Sequence, residues 1–378
     1  MKKFNKILML TWVEINKKAL AFNLQQFHKK IGKGIEIIPV IKSNAYGHGF
    51  IEIARFCDTC KLINKIAVVN LAEALELRKN KIKKQIIVLS FFDFNELTGE
   101  SASELKNISL PIYDIATAIK LNNFSKKSEF KIKIHLKIDT GASRIGFLPN
   151  ELIKNIALLK KLNNLIIEGV FSHFASSEED KKYTQKQKNI FDKTITKLKA
   201  LGINPPMIHI ACTAAALVTP QNQCNTVRLG IGFYGLYPSK KIKKIIKLKP
   251  VLSWHTRLIQ VKDLSKNTLI GYGGTYKTRR KTLLGIIPVG YWDGLDRHLS
   301  NCGQVLFKGK KCGIIGRICM NLTMIDLAGL NAKTGDKITL IGRQGKHEIT
   351  ADDLAQKIDT INYEVVTRIN PQIKRIVC

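Results

Sequence analysis

Lys42 stands in the run Val40-Ile41-Lys42-Ser43-Asn44-Ala45-Tyr46-Gly47-His48-Gly49, directly after the mostly apolar stretch Ile35 to Val40. A lysine at the mouth of a buried apolar strand loses its proton more readily than a solvated one, because desolvation disfavours the ammonium form. The neutral amine is then a nucleophile toward an aldehyde. The small and turn-forming residues that follow let backbone and the Tyr46 hydroxyl approach an anionic ligand, as a Schiff-base site for pyridoxal phosphate requires. A lysine ending a strand before a glycine-containing turn is also a common solvated edge residue, so the chemistry depends on what converges with it.

Further along are residues of matching chemical type: Lys137 and Arg144, His173, His209, Arg228, and Tyr272 in the glycine-rich run Ile270 to Tyr276. A tyrosine in such a turn most often packs or shapes the turn, and an arginine most often pairs with a surface carboxylate. Position along the fold separates these uses. Apolar, β-branched runs begin near Ile35, Ile66, Ile86, Pro111, Ile132, Ile166, Ile208 and Val227, separated by stretches of helical spacing such as Asp180 to Lys199. Eight strands alternating with helices predict an α/β fold, a parallel (β/α)8 TIM-type barrel. In that frame Lys42 follows the first strand, Lys137 and Arg144 end or follow the fifth, His173 ends the sixth, His209 lies in the seventh and Arg228 ends the eighth. Barrel enzymes carry their chemistry at these C-terminal strand ends.

After about Lys247 the texture changes. Short runs at Val251 to Asp263, Leu283 to Val289, Gln304 to Phe307, Met324 to Leu327 and Lys337 to Ile341 are separated by Gly, Asn and Asp, with little helical periodicity before Asp352. We expect a barrel over residues 1–245 and a C-terminal mainly-β domain over 246–378, tightly joined, with the first strand free to pack against the second domain.

With 378 residues, 45% of them hydrophobic, the chain can bury two cores. Its formal net charge of +33 raises the question of a polyanionic partner, but lysine is spread over nearly every segment and no nucleic-acid-binding motif is present. A solvated basic surface is expected, without a nucleic-acid or membrane partner. Eight cysteines without regular spacing do not make a disulfide framework and fit a reduced, cytoplasmic compartment; the lone Cys57–Cys60 pair lacks a second pair, so no metal is expected. The apolar run Ile7 to Val13 passes straight into Glu14 and reads as a strand rather than a signal peptide.

The run around Lys42 closely resembles the pyridoxal-phosphate lysine signature of bacterial alanine racemases. The resemblance continues in order through Leu10 to Asn16, Leu71 to Arg78, Leu136 to Gly146, Ser172 to Phe174, Arg228 to Gly235, Gly271 to Tyr276, Gly290 to Gly294, Gly316 to Met320 and Tyr363-Glu364. It implies pyridoxal 5'-phosphate on Lys42 and racemisation of alanine by two bases, Lys42 and Tyr272, on opposite faces of the cofactor. By the same resemblance Arg228 faces the pyridine nitrogen, where a guanidinium cannot accept the ring proton, and His173 orients it. Tyr46, Thr213, Gly230, Ile231 and Tyr363 are expected to hold the phosphate, and Arg144 the phenolate oxygen. The backbone at Met320 is expected to meet the substrate carboxylate, with Tyr291 and Arg297 on the access path. Lys137 matches a lysine often carbamylated in the family, and Tyr272 is implied to come from the partner chain, which makes a homodimer with shared sites. The product, D-alanine, serves bacterial peptidoglycan.

Three departures stand out. Cys212-Thr213 replaces the usual Asn-Ser, Asn321 stands where an aspartate is usual, and Ala142 replaces a common methionine. They bear on rate and substrate breadth, and a broader or serine-preferring racemase is the nearest alternative. A non-catalytic pyridoxal-phosphate-binding barrel is the alternative outside enzymes, against which residues 246–378 argue.

Overall fold

A computed structural model describes residues 9–97, 104–219, 224–327 and 329–378, so part of the Ile7 to Val13 run lies outside the described residues. The chain divides into two compact units. One comprises Ala21–Ala45 and Ile53–Lys249; the other gathers residues 9–20, Tyr46–Glu52 and Pro250–Cys378.

After a first strand, β1 (Thr11–Ile15), the chain enters the barrel unit. Its strands are β2 (Glu36–Pro39), β3 (Lys65–Asn70), β4 (Gln85–Phe91), β5 (Ile108–Ile112), β6 (Ile132–Lys137), β7 (Leu165–Phe171), β8 (Met207–His209) and β9 (Thr226–Leu229). They hydrogen-bond in the order β2-β9-β8-β7-β6-β5-β4-β3, and a parallel bridge between Val40 and Ala67 joins the two ends into a nearly closed barrel. Each expected apolar run coincides with one of these strands, although β5 starts earlier than Pro111, which lies inside it. The runs are continuous rather than alternating because both strand faces are covered: Ile37, Ile38, Ile66, Ile86, Val88, Leu110 and Leu136 are all at most 1% exposed.

Three of the helices between the strands start on side-chain caps, and Pro149 opens a fourth, Pro149–Lys161. Asn70 accepts the Glu73 amide, Asp114 that of Thr117, and Asp180 that of Tyr183. They end in basic residues, Arg78 and Lys79, Lys126 and Lys127, Lys160 and Lys161, Lys197 and Lys199. Cations there face the negative end of the helix dipole, which gives part of the lysine excess a local role.

The second unit is mainly β: β10 (Leu252–Arg257), β11 (Gln260–Leu264), β12 (Leu269–Ile270), β13 (Tyr276–Lys277), β14 (Thr282–Ile287), β15 (Gln304–Phe307), β16 (Lys310–Gly313), β17 (Thr323–Asp326), β18 (Lys337–Gln344), β19 (His347–Ile349) and β20 (Arg375–Val377). The largest sheet of this unit runs β16-β15-β18-β10-β1-β20, with β19 on β18. Thus β1 sits between β10, antiparallel, and β20, parallel. Two short helices, Ala351–Lys357 and Asn362–Thr367, follow β19. All eight cysteines are free thiols. Among the described residues, no helix is long and apolar enough to cross a membrane, and no group of three or more His, Cys, Asp or Glu side chains could hold a metal ion.

Candidate active site

At the C-terminal end of β2 the chain is fixed by three bonds: the Val40 amide donates to the Leu229 carbonyl (2.9 Å), the Ile41 amide to the Ala67 carbonyl (2.8 Å), and the buried Tyr234 hydroxyl to the Val40 carbonyl (2.8 Å). Lys42 follows, and behind it the backbone turns the unusual way. Ser43, Asn44, Ala45 and Tyr46 all have φ between 51° and 55°, a left-handed turn built without glycine. Each such residue costs about 1–2 kcal/mol. The half-buried Lys42 amine is pushed below its ordinary range by burial and by the Arg144 guanidinium, with Glu73 acting in the opposite sense.

Lys137 ends β6. Its ammonium donates to the Leu89 carbonyl (2.8 Å) and lies 5.5 Å from the centre of the Phe171 ring. Burial, Arg144 and Arg228 lower its pKa to about 8, against the pull of Asp139. The loop that follows is organised by Asp139: one carboxylate oxygen accepts the amides of Gly141 (2.8 Å) and Ser143 (3.1 Å), the other that of Arg144 (3.0 Å). Tyr183 ties the loop down by donating to the Gly141 carbonyl (2.7 Å). Arg144 itself is exposed.

Arg228, 4% exposed in β9, is held entirely by neutral acceptors. Nη1 donates to His209 Nδ1 (2.6 Å) and the His209 carbonyl; Nη2 donates to the Ser172 carbonyl (2.7 Å), His173 Nδ1 (3.1 Å) and the Ile210 carbonyl. Burial lowers its pKa to about 10, which leaves it charged near neutrality. His173, two residues beyond β7 rather than at its end, is pushed down to about 3 by burial and by the cations Arg228, Arg144, Lys137 and Lys42. Sequence reasoning gave the orientation of Arg228 to His173, but the nearer imidazole is His209. It stacks on Phe171 (5.0 Å, 5° between planes) and continues through His135 (2.9 Å) to Glu168 (3.3 Å). Glu168 is buried enough to disfavour its charge, yet bonds from His135, Ser109 and Gln85 outweigh that and hold the carboxyl well below the usual range. A Cβ on Gly169 would sit 2.5 Å from the His135 ring, so this glycine makes the room for it.

Beyond β8, Thr213 Oγ1 accepts the amides of Gly230 (3.1 Å) and Gly232 (3.5 Å). The Gly230 amide, expected to face a phosphate, is thus engaged by Thr213. A Cβ on Gly232 would lie 2.6 Å from both Phe27 and Thr213. Ile231 opens a short 3-10 turn at this corner and is buried. Cys212 lies beside Ser177, Sγ to Oγ 3.6 Å.

Lys42, Lys137, Arg144, His173, Thr213, Arg228, Gly230 and Ile231 therefore belong to the barrel unit, whereas Tyr46, Tyr272, Tyr291, Arg297, Met320 and Tyr363 belong to the other. Within that second unit Tyr46 and Tyr363 stand with ring centres 6.1 Å apart. Tyr272 is 71% exposed. Its turn passes through Gly271 and Gly273 at positive φ; a side chain at Gly271 would meet Met324, and one at Gly273 the Arg317 guanidinium. The amides of Tyr291 and Trp292 donate to the carbonyls of Cys319 and Met320, which ties the expected access-path residue Tyr291 to the Met320 segment. The Met320 carbonyl is thus engaged within its own unit, by the Trp292 amide. Arg297 and Asn321 are exposed.

Glu73, His135 and Glu168 were not singled out from sequence. The visible signal was a glutamate interrupting the apolar run Leu165–Phe171, with a histidine two residues before Lys137 on the same face of the neighbouring strand.

Residues 15–238 match the family model for the alanine racemase N-terminal domain, and residues 251–377 that for the C-terminal domain. The chain is similar to an alanine racemase of Halothermothrix orenii, 39% identical over 97% of this chain and 96% of that one. An alanine racemase of Clostridium tetani is also 39% identical, over 98% and 96%. Among solved structures, an alanine racemase of Clostridium difficile superposes with a TM-score of 0.93 at 36% identity, covering 99% of this chain and 97% of that one. The Bacillus anthracis alanine racemase with bound L-Ala-P gives 0.90 at 34%, covering 97% and 95%.

Proposed function

The chain belongs to the alanine racemase family of enzymes, and from that premise we propose that it carries pyridoxal 5'-phosphate on Lys42 and interconverts L- and D-alanine with Lys42 and Tyr272 as the two bases. The observation that carries this reading is the pairing, in one barrel, of an amine held below its ordinary protonation range with a buried arginine bonded only to neutral acceptors. The residues fit the cofactor: Lys42 offers the amine, Arg228 a donor-only partner for a ring nitrogen, and Thr213 with Gly230 and Gly232 a small polar corner that a side chain at 232 would fill.

Pyridoxal phosphate supplies, when bound, an electron-withdrawing ring that makes the substrate Cα proton acidic. Lys42 removes or returns that proton on one face, and Tyr272 does so on the other. Because Arg228 can donate but not accept, it limits how far electron density is drawn from Cα, which suits a reaction that only takes and returns one proton. Arg144, whose amide is held by the Asp139 loop, would hold the cofactor through its phenolate oxygen.

The exposure of Tyr272 supports its service to a partner chain, and we propose a homodimer with shared sites. Cytoplasmic supply of D-alanine for peptidoglycan follows from the same premise. The test is a visible absorption spectrum of the reconstituted protein followed by a chiral assay over a panel of amino acids. A cofactor band that borohydride bleaches onto Lys42, with alanine turned over fastest, is expected. Absence of an adduct on Lys42 would overturn the cofactor assignment, and a faster rate with serine the substrate assignment.

A further inference from the structure

Building on the role given to Lys42 above, we propose that Glu73 is a positioning residue for it: the Glu73 carboxylate bridges the left-handed turn behind Lys42 to the end of the next barrel strand, and so sets where the lysine amine points. One oxygen accepts the amide of Ser43 at 2.7 Å, the other the amide of Val69 at 2.9 Å. Ser43 is the first of the four left-handed residues, and Val69 lies next to the last residue of β3.

A turn of four non-glycine residues with positive φ persists only where its surroundings over-determine it. At its start the Ala45 amide donates to the Ile41 carbonyl (2.9 Å). As in any helical turn, the opening amides have no acceptor within the turn itself, and that of Ser43 finds one in Glu73. The glutamate is well placed to act as a fixed strut. It sits in the first turn of the helix Leu71–Lys79, and its own amide donates to the Asn70 side chain (3.0 Å), the cap of that helix.

The chemistry of the contact calls for a carboxylate. Two N–H donors converge on one side chain, and only an ionised acid offers an acceptor oxygen to each; a glutamine would turn an NH2 toward one of them. An aspartate is one methylene too short for the span. The same negative charge faces the Lys42 amine together with the cations Arg144 and Lys137 and the neutral imidazole of His173, and it works against the depression that burial and Arg144 impose. One residue thereby fixes the lysine's backbone and moderates its proton affinity.

The experiment uses the full-length protein without cofactor, so it does not depend on racemisation or on cofactor binding. Hydrogen exchange should show the Ser43 amide protected in the parent and exposed in Glu73→Ala, which removes both acceptor oxygens. Reductive methylation of Lys42, read by site-resolved mass spectrometry across pH, should show its midpoint moved to lower pH in Glu73→Gln. Asn70→Ala, which loosens the same helix but keeps the carboxylate, should leave that midpoint in place. A Ser43 amide that exchanges like an open loop in the parent overturns the proposal without any variant. So does a Glu73→Gln midpoint equal to the parent's, or one equally shifted by Asn70→Ala.

Discussion

Arg228 donates to His209 Nδ1 across 2.6 Å, and this one bond fixes the proton pattern of a chain of side chains running through the barrel. A guanidinium has no lone pair to offer, so His209 Nδ1 is the acceptor and the ring carries its proton on Nε2. That proton is given to His135 Nδ1 at 2.9 Å, which leaves His135 with its proton on Nε2, facing Glu168 at 3.3 Å. Both rings are neutral, in keeping with burial and the Arg228 charge, which push them below the ordinary histidine range. We predict that nitrogen-15 NMR at neutral pH finds both rings as Nε2–H tautomers; an Nδ1–H signal from His209 would contradict the relay.

Glu168 closes that relay, and its removal has a pH signature. Its folded-state pKa is depressed, so the stability it confers is present above the unfolded value of 4.5 and is lost as pH falls through the folded value. Glu168→Ala leaves the His135 Nε2–H without its acceptor, at a cost of about 1–3 kcal/mol near pH 7. Urea midpoints should show this gap between parent and variant near neutrality and its narrowing below about pH 4.

Histidine burial makes a separate acid liability. His173 titrates near 3 in the fold against 6.5 as a free side chain, so from pH 6.5 downward the unfolded chain takes up a proton that the folded chain refuses. Across the 1.5 pH units from 6.5 to 5 this costs about 2 kcal/mol, at about 1.4 kcal/mol per unit. His173→Asn should flatten the fall of the urea midpoint between pH 7 and 5 relative to the parent. An unchanged slope would mean that His173 is protonated in the fold.

The strands of the barrel were legible because a strand covered on both faces must be apolar throughout, as in Ile86-Ile87-Val88, and periodicity has nothing to hide behind. Strands defined by a distant partner were not legible. Arg375–Val377 is a strand because it pairs with β1 at the other end of the chain, and Leu269–Ile270 because Tyr276–Lys277 returns beside it. At the site, Lys42 and Arg228 announced themselves by charge at the end of apolar runs. The left-handed turn over Ser43 to Tyr46 gave no sign, since none of its four residues is the glycine that such dihedrals normally demand. Glu73 was equally hidden: a glutamate in the first turn of a helix is commonplace, and only the fold brings Ser43 to it.

We propose that Lys137 is carbamylated, a reaction of carbon dioxide with the neutral amine that its lowered pKa favours. Lowering the pKa from 10.5 to about 8 raises the neutral fraction at pH 7 on the order of a few hundredfold. An anionic carbamate would also relieve the crowding of Lys42, Lys137, Arg144 and Arg228 that depresses this group in the first place. We expect carbon-13 dioxide to label Lys137, seen as a carbamate resonance absent from Lys137→Ala. A density map with an unmodified ammonium and an ordered Arg144 at neutral pH would remove the need for the modification.

The division of labour between the two bases gives the most demanding test. Lys42 and Tyr272 belong to different compact units, and Tyr272 is 71% exposed on its own turn. If each acts on one face of the substrate, Tyr272→Phe retains the cofactor yet loses racemisation by ~10²–10⁴-fold, the usual contribution of a positioned acid or base. Lys42→Ala loses both. Mixing the two inactive chains under conditions that exchange subunits should restore activity, because a heterodimer then contains one site with both bases intact. A rate near one quarter of the parent's is expected from about half the dimers being mixed with one working site each. No recovery after confirmed exchange would rule out a site shared between chains, and full activity in Tyr272→Phe alone would rule out the tyrosine as a base.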